Sequence, residues 1–162
     1  MYVWDIDRTL FMNRYQDPDW DNPLAIHPQT GESVTGQMPI YNDGNYLNPD
    51  LEGVTLTIDT VLTARPEYRR AVTLDQLKTF TNNTPDTLIM YPARRRYTHH
   101  AALLYKINHL DYMAAVSPDR VYYIDEDEDT RAIINSHEVY SRREARVEAI
   151  SLDRYFDMEV GL

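Results

Sequence analysis

The chain has 162 residues, a length that favours one domain with a sizeable core, and 43% of its residues are hydrophobic, which excludes a disordered protein. A net charge of −10 argues against a protein that grips long duplexes by neutralising their phosphates. There is no cysteine, so disulfides, thiol nucleophiles and zinc–thiolate sites are excluded, and no apolar run approaches the length of a membrane span. The chain enters an apolar run at once with no sign of a secretion signal, and a cytoplasmic location is the default expectation.

In chain order, YVWDI at 2–6 reads as the first strand. The segment 12–53 is rich in Asp, Asn, Pro and Gly and lacks periodicity, which predicts an irregular flap inserted after that strand. Trp20, Leu24, Ile40 and Tyr46 are its apolar anchors. VTLTIDTVL at 54–62 predicts a second strand, and PEYRRAVTLDQLKTF at 66–80 a helix with proline in its first turn. TLIMY at 87–91 is a third strand, and the spacing of Leu103, Ile107, Leu110 and Ala114 predicts a helix over 99–115 that Ser117-Pro118 ends. VYYI at 121–124, a short helix over 129–137 and a last strand in 146–152 follow, with the tail after Arg154 expected as a surface appendage. Strands alternating with helices predict a three-layer, Rossmann-like α/β fold around a mostly parallel five-stranded sheet, in a single domain.

Chemistry-bearing residues gather where these strands end, the place where open parallel sheets bind ligands. Asp5, Asp7 and Thr9 alternate after the first strand. Carboxylates two apart on an extended chain face the same side, where a cation or a division into charged and neutral forms would relieve their repulsion. The second strand runs into Leu62-Thr63-Ala64-Arg65-Pro66, the helix before the fourth strand carries Lys106, and the fourth strand runs into Asp125-Glu126-Asp127-Glu128-Asp129.

This series resembles the haloacid dehalogenase (HAD) superfamily of phosphohydrolases. DIDRTL is similar to its DxDxT motif, Thr63 to its second motif, Lys106 to its third and Asp125-Glu126 to its fourth, over roughly residues 1–130. Within the superfamily, LTARP, YKINHLDYM and YYIDEDEDTR look most like the RNA-repair type called the Swiss-army-knife HAD domain. The resemblance implies a Mg²⁺-dependent phosphatase in which Asp5 is the nucleophile and Asp7 the general acid and base, with a raised carboxyl. Thr9, Thr63 and Lys106 would bind phosphate, and Asp5, Asp7, Asp125 and Glu126 would hold the metal. Glu126 is assigned by position, and Asp127 or Asp129 are alternatives for that role. Arg8 stands where the family pattern has glycine, and with Arg65 it is a candidate to reach the substrate.

Asp125, Asp127 and Asp129 also alternate like the start of a calcium loop, but Thr130 and Ser136 stand where that loop needs glycine and glutamate. Arg94, Arg95 and Arg96, next to His99 and His100, form the one basic cluster and are candidates for holding a second substrate phosphate. The histidines are otherwise read as surface or loop residues. The expected substrate is a nucleotide or a nucleic-acid end, with a small phosphorylated metabolite as the alternative. Outside enzymes, the alternative is an inactive phosphate-binding module.

Overall fold

The computed structural model describes residues 1–13, 44–92, 95, 98–137 and 146–160. Five parallel strands form the central sheet: β1 (Tyr2–Trp4), β4 (Thr60–Pro66), β5 (Thr87–Tyr91), β6 (Val121–Ile124) and β7 (Val147–Ile150). Their order is β5-β4-β1-β6-β7, so the chain builds outward on one side of β1 and then returns to build on the other. The strand order reverses between β1 and β6, and the crevice beyond their carboxyl ends is where such sheets place a ligand.

Side chains alternate across a strand, and here the alternation feeds two separate apolar layers. Trp4, Val61, Leu88, Met90, Ile124 and Ile150 enter one layer. Their neighbours Val3, Leu62, Tyr123 and Ala149 enter the other. Leu77 of α1 (Arg70–Thr81) joins the first layer, while Leu103, Ile107 and Leu110 of α2 (His99–Val116) join the second with Ile134 of α3 (Glu128–Ser136). Local chemistry sets the helix ends. Thr98 accepts the Ala101 N–H at the start of α2, and Asn82, in the left-handed region at φ 55°, closes α1.

Three expectations change. The second strand begins at Thr60 and not at residue 54, because Asn83 takes the backbone groups a ladder would have used: its Oδ1 accepts from Ile58 N–H and its Nδ2 donates to Leu56 O. That strand then continues through Pro66, so the proline closes the strand, and a short 3-10 turn (Glu67–Arg69) separates it from α1. The tail is no appendage. It forms α4 (Leu152–Val160), whose Leu152 and Tyr155 are buried in the first layer, with the Tyr155 ring 4.8 Å from Trp4 and 4.9 Å from Tyr2.

The flap is described only at its ends. β2 (Phe11–Asn13) pairs antiparallel with β3 (Asn45–Leu47), so the inserted segment leaves and returns through a two-stranded stem, with Tyr46 exposed in β3. Trp20, Leu24 and Ile40, like Arg94 and Arg96, lie outside the described residues. Among the described residues no helix is long and apolar enough to cross a membrane.

Because Tyr155 fills the first layer, Tyr155→Ala should cost about 3 kcal/mol in urea-monitored unfolding. A cost below about 0.5 kcal/mol would mean that α4 is peripheral after all.

Candidate active site

Asp5 and Asp125 each continue their strand's ladder by one step, the Asp5 N–H donating to Ile124 O and the Asp125 N–H to Ile150 O, both at 3.0 Å. Both carboxylates therefore arrive side by side at the reversal point, 6% and 3% exposed. Lys106, four residues before Leu110 on the buried face of α2, brings one ammonium to the pair. Its Nζ donates to Asp5 Oδ1 at 2.8 Å and stands 3.9 Å from Asp125 Oδ2. The Tyr123 ring lies beneath that ammonium, at 5.5 Å from its centroid.

One cation among two buried carboxylates leaves charge uncompensated. Burial pushes the Asp5 carboxyl up to about 7 against the pull of Lys106, and the nearby Asp125 adds to the push. Asp125 is also raised, by burial first, with Lys106 and the Asp127 N–H opposing. The Tyr123 hydroxyl is held well above its ordinary value by burial and by the two carboxylates, and so stays a proton donor.

The loop after β1 is held from several sides. The Thr9, Leu10 and Phe11 N–H groups all turn back to Ile6 O. Thr9 Oγ1 donates to Asp5 Oδ2 and accepts the Glu126 N–H, each at 3.1 Å, which ties the β1 and β6 loops together. Buried Asn48, at the flap's return, donates to Thr9 O at 2.9 Å. On the other side Asp127 donates its N–H to Asp125 Oδ1 and caps α3, while Arg131 donates to Asp125 O.

Asp7 belongs to a different pair. Arg65 grips both its oxygens, Nη2 at 2.8 Å and Nε at 3.0 Å, and uses Nη1 on Gln76 Oε1 at 2.6 Å and on Thr73 Oγ1 at 3.3 Å. Asp7 and Asp5, two apart in sequence, thus have separate cationic partners from separate elements. Asp7, Arg8, Lys106 and Asp127 line the pocket with Asp5 and Asp125.

Several expected roles move. Arg65, expected at the substrate, is 0% exposed and is occupied in orienting Asp7. Glu126, expected at the metal, turns its carboxylate to the Leu152 N–H at 2.6 Å and so holds the start of α4. Asp127 takes the place on the pocket wall instead. Thr9 and Thr63 are fully buried: Thr9 bridges two loops, and Thr63 Oγ1 accepts the Arg65 N–H at 3.1 Å. Arg95 lines a different groove, along the far side of α2, with its guanidinium 5.8 Å from the Tyr105 ring centroid. His99 does line the pocket. It lies two helical turns before Lys106, a spacing that places both on one face and was visible in the sequence.

Among the described residues no three His, Cys, Asp or Glu side chains are grouped to hold a metal ion. Mg²⁺ asks less, since it keeps several waters and commonly takes one or two carboxylates. The oxygen-only pair Asp5 and Asp125, under-compensated by a single ammonium, fits that demand. The chain matches no protein-family model, no curated protein and no solved structure.

A carboxyl raised in the folded state stabilises the fold while protonated. That contribution is present at low pH and is lost as pH rises towards about 7 for Asp5. In chelator, Asp5→Asn should therefore melt close to the wild type near pH 4 and increasingly above it up to about pH 7, with the gap levelling off beyond. A melting difference independent of pH would contradict the buried, raised carboxyl.

Proposed function

We propose that the protein is a Mg²⁺-dependent phosphatase of HAD type that works through an aspartyl-phosphate, acting on a nucleotide or a nucleic-acid terminal phosphate. The observation that carries this reading is the Asp5 carboxylate, set at the reversal of strand order and held by Lys106 at 2.8 Å and Thr9 at 3.1 Å beside Asp125. Of the residues that resemble the family's motifs, Asp5, Asp7, Lys106 and Asp125 line this pocket, Thr9 and Thr63 are buried behind it, and Glu126 turns away to α4.

The division of labour follows from the two ion pairs. An Asp5 oxygen attacks phosphorus, the bond from phosphorus to the ester oxygen breaks, and the alcohol leaves with a proton from Asp7. Water then attacks the aspartyl-phosphate and returns a proton to Asp7, and inorganic phosphate and free Asp5 are released. Arg65 orients Asp7 for both transfers and, being buried, is itself kept from the substrate. Lys106 steadies Asp5 between turnovers and meets the charge that spreads over the phosphoryl oxygens in the transition state. Mg²⁺, held by Asp5 and Asp125, would supply charge neutralisation for the phosphate dianion.

The Asp7 side chain is 13% exposed to the pocket, and Arg65 holds both its oxygens. In this reading Arg65 prepares Asp7 for proton transfer by fixing its orientation.

The test is a phosphatase screen over nucleoside monophosphates, phosphorylated oligonucleotides and sugar phosphates. Activity should require Mg²⁺, stop in excess chelator, and fall by on the order of 10³ or more in Asp5→Asn. Full activity in chelator, or in a correctly folded Asp5→Asn protein, would overturn the assignment. Preference for sugar phosphates would replace the nucleotide class by the metabolite class.

A further inference from the structure

Two faces of α2 border two different cavities. His99, Ala102 and Lys106 turn one face to the Asp5 pocket, a cavity of about 60 Å³. That is room for a phosphoryl group and a few waters, so the remainder of a larger substrate lies outside it. On another face Tyr105, Asn108, His109, Tyr112 and Val116 recur at helical spacing and form one wall of a groove of about 770 Å³. Thr60 and Ile89 line it from the β4–β5 side of the sheet. Between Tyr105 and Ser117 the groove follows α2 for about 18 Å at the rise of an α-helix. Tyr105 and Lys106 are consecutive, so groove and pocket meet at one turn of the helix.

The lining selects the ligand. The chain carries 26 Asp and Glu, yet among the described residues that line the groove there is none. Arg95 brings a positive charge, its guanidinium lying over the Tyr105 ring at 5.8 Å from the centroid. Glu67, a carboxylate that acts on Tyr105, is itself held through both oxygens by Arg70. An anion that the acidic surface elsewhere repels is therefore accepted along this face.

The rings form a platform. Tyr105 meets Tyr91 edge-on at 5.5 Å and His109 at 4.5 Å, so it is fixed from two sides. Burial lowers the pKa of His109, which makes it a neutral ring near pH 7. Farther along, Tyr112 is 66% exposed, and Asn108, one turn before it, offers an amide donor and acceptor. Rings, an amide and a guanidinium suit stacked bases joined by phosphates, because every base has a face to stack and a guanidinium meets two phosphate oxygens.

Resting on the phosphatase reading for the fate of the terminal phosphate, we propose that this groove binds the single-stranded nucleic acid whose end enters the Asp5 pocket. Bases stack on Tyr105 and Tyr112, and Arg95 meets a backbone phosphate. The substrate class is then an oligonucleotide end in preference to a mononucleotide.

The experiment titrates fluorescein-labelled uridine and thymidine decamers with 5′-hydroxyl ends, read by anisotropy, so that binding is measured without turnover. Wild type should bind at low salt, Tyr112→Ala about tenfold more weakly, and Tyr112→Phe, which keeps the ring, as the wild type does. In Arg95→Ala the slope of log affinity against log salt should shrink by about 0.7. With a 5′-phosphorylated decamer and a nucleoside 5′-monophosphate as substrates, the ratio of their kcat/KM values should fall about tenfold in Tyr112→Ala, through KM of the decamer. Failure of both decamers to bind, or equal binding by wild type, Tyr112→Ala and Arg95→Ala, would overturn the proposal. So would sedimentation showing a wild-type dimer that Tyr112→Ala dissociates, which would give this face to a second copy of the chain. Decamer binding with the expected variant pattern, but no turnover of any phosphate ester, would uphold the groove and reject the phosphatase reading.

Discussion

Two carboxylates buried side by side are the constraint around which the rest of this molecule is arranged. Removing an ion from water costs several kcal/mol even after relaxation, by order of magnitude, so Asp5 and Asp125 are stable there only with compensation. Lys106 provides it for both, and burial still raises both carboxyls. Each surrounding feature limits how far that pair can relax. The parallel ladder brings both residues to one place, Thr9 and Asn48 pin the loop after β1, and Asp127 and Arg131 hold the loop after β6. A site with one ammonium for two buried carboxylates is prepared for a cation, and with it for an anionic ligand.

Asp7 answers the question raised by carboxylates two residues apart. They are not forced to share one environment, because the chain turns at Ile6 and sends the second to Arg65. Arg65 in turn is clamped by Thr73 and Gln76 of α1, so the position of Asp7 depends on a helix that does not itself line the pocket. The proposed chemistry uses this separation: one carboxylate is placed to attack and the other to move protons. Each can be perturbed by mutation without dismantling the other's partner.

Much of this was legible in the sequence where a pattern is local. The strands at 87–91 and 121–124 appear over the expected residues, and α2 over the whole of its expected length and one residue more, because their apolar spacing and caps are self-contained. The convergence of Asp5, Thr9, Lys106 and Asp125 followed from the rule that parallel sheets gather ligands at their carboxyl ends. What the sequence concealed depends on partners distant along the chain. Asn83 replaces the ladder at 56–58, and Glu126 is drawn to the α4 N-terminus 26 residues later, both through side-chain hydrogen bonds that no periodicity reports. Arg65 looked like a residue for substrate because it follows a strand-end threonine, yet Gln76 and Thr73 make burying it possible. The tail carries Tyr155, Phe156, Met158, Val160 and Leu162, but the rings that Tyr155 packs against, Tyr2 and Trp4, lie at the other end of the chain.

The central claim is that Asp5 becomes covalently phosphorylated. The most direct measurement is acid quenching during turnover of a phosphate monoester, borohydride reduction of the acyl-phosphate, and peptide mass spectrometry. The account predicts reduction of the side chain at position 5 and at no other carboxylate, dependent on substrate and on Mg²⁺. Turnover with an unmodified Asp5, or with the reducible phosphate on a different residue, would contradict it.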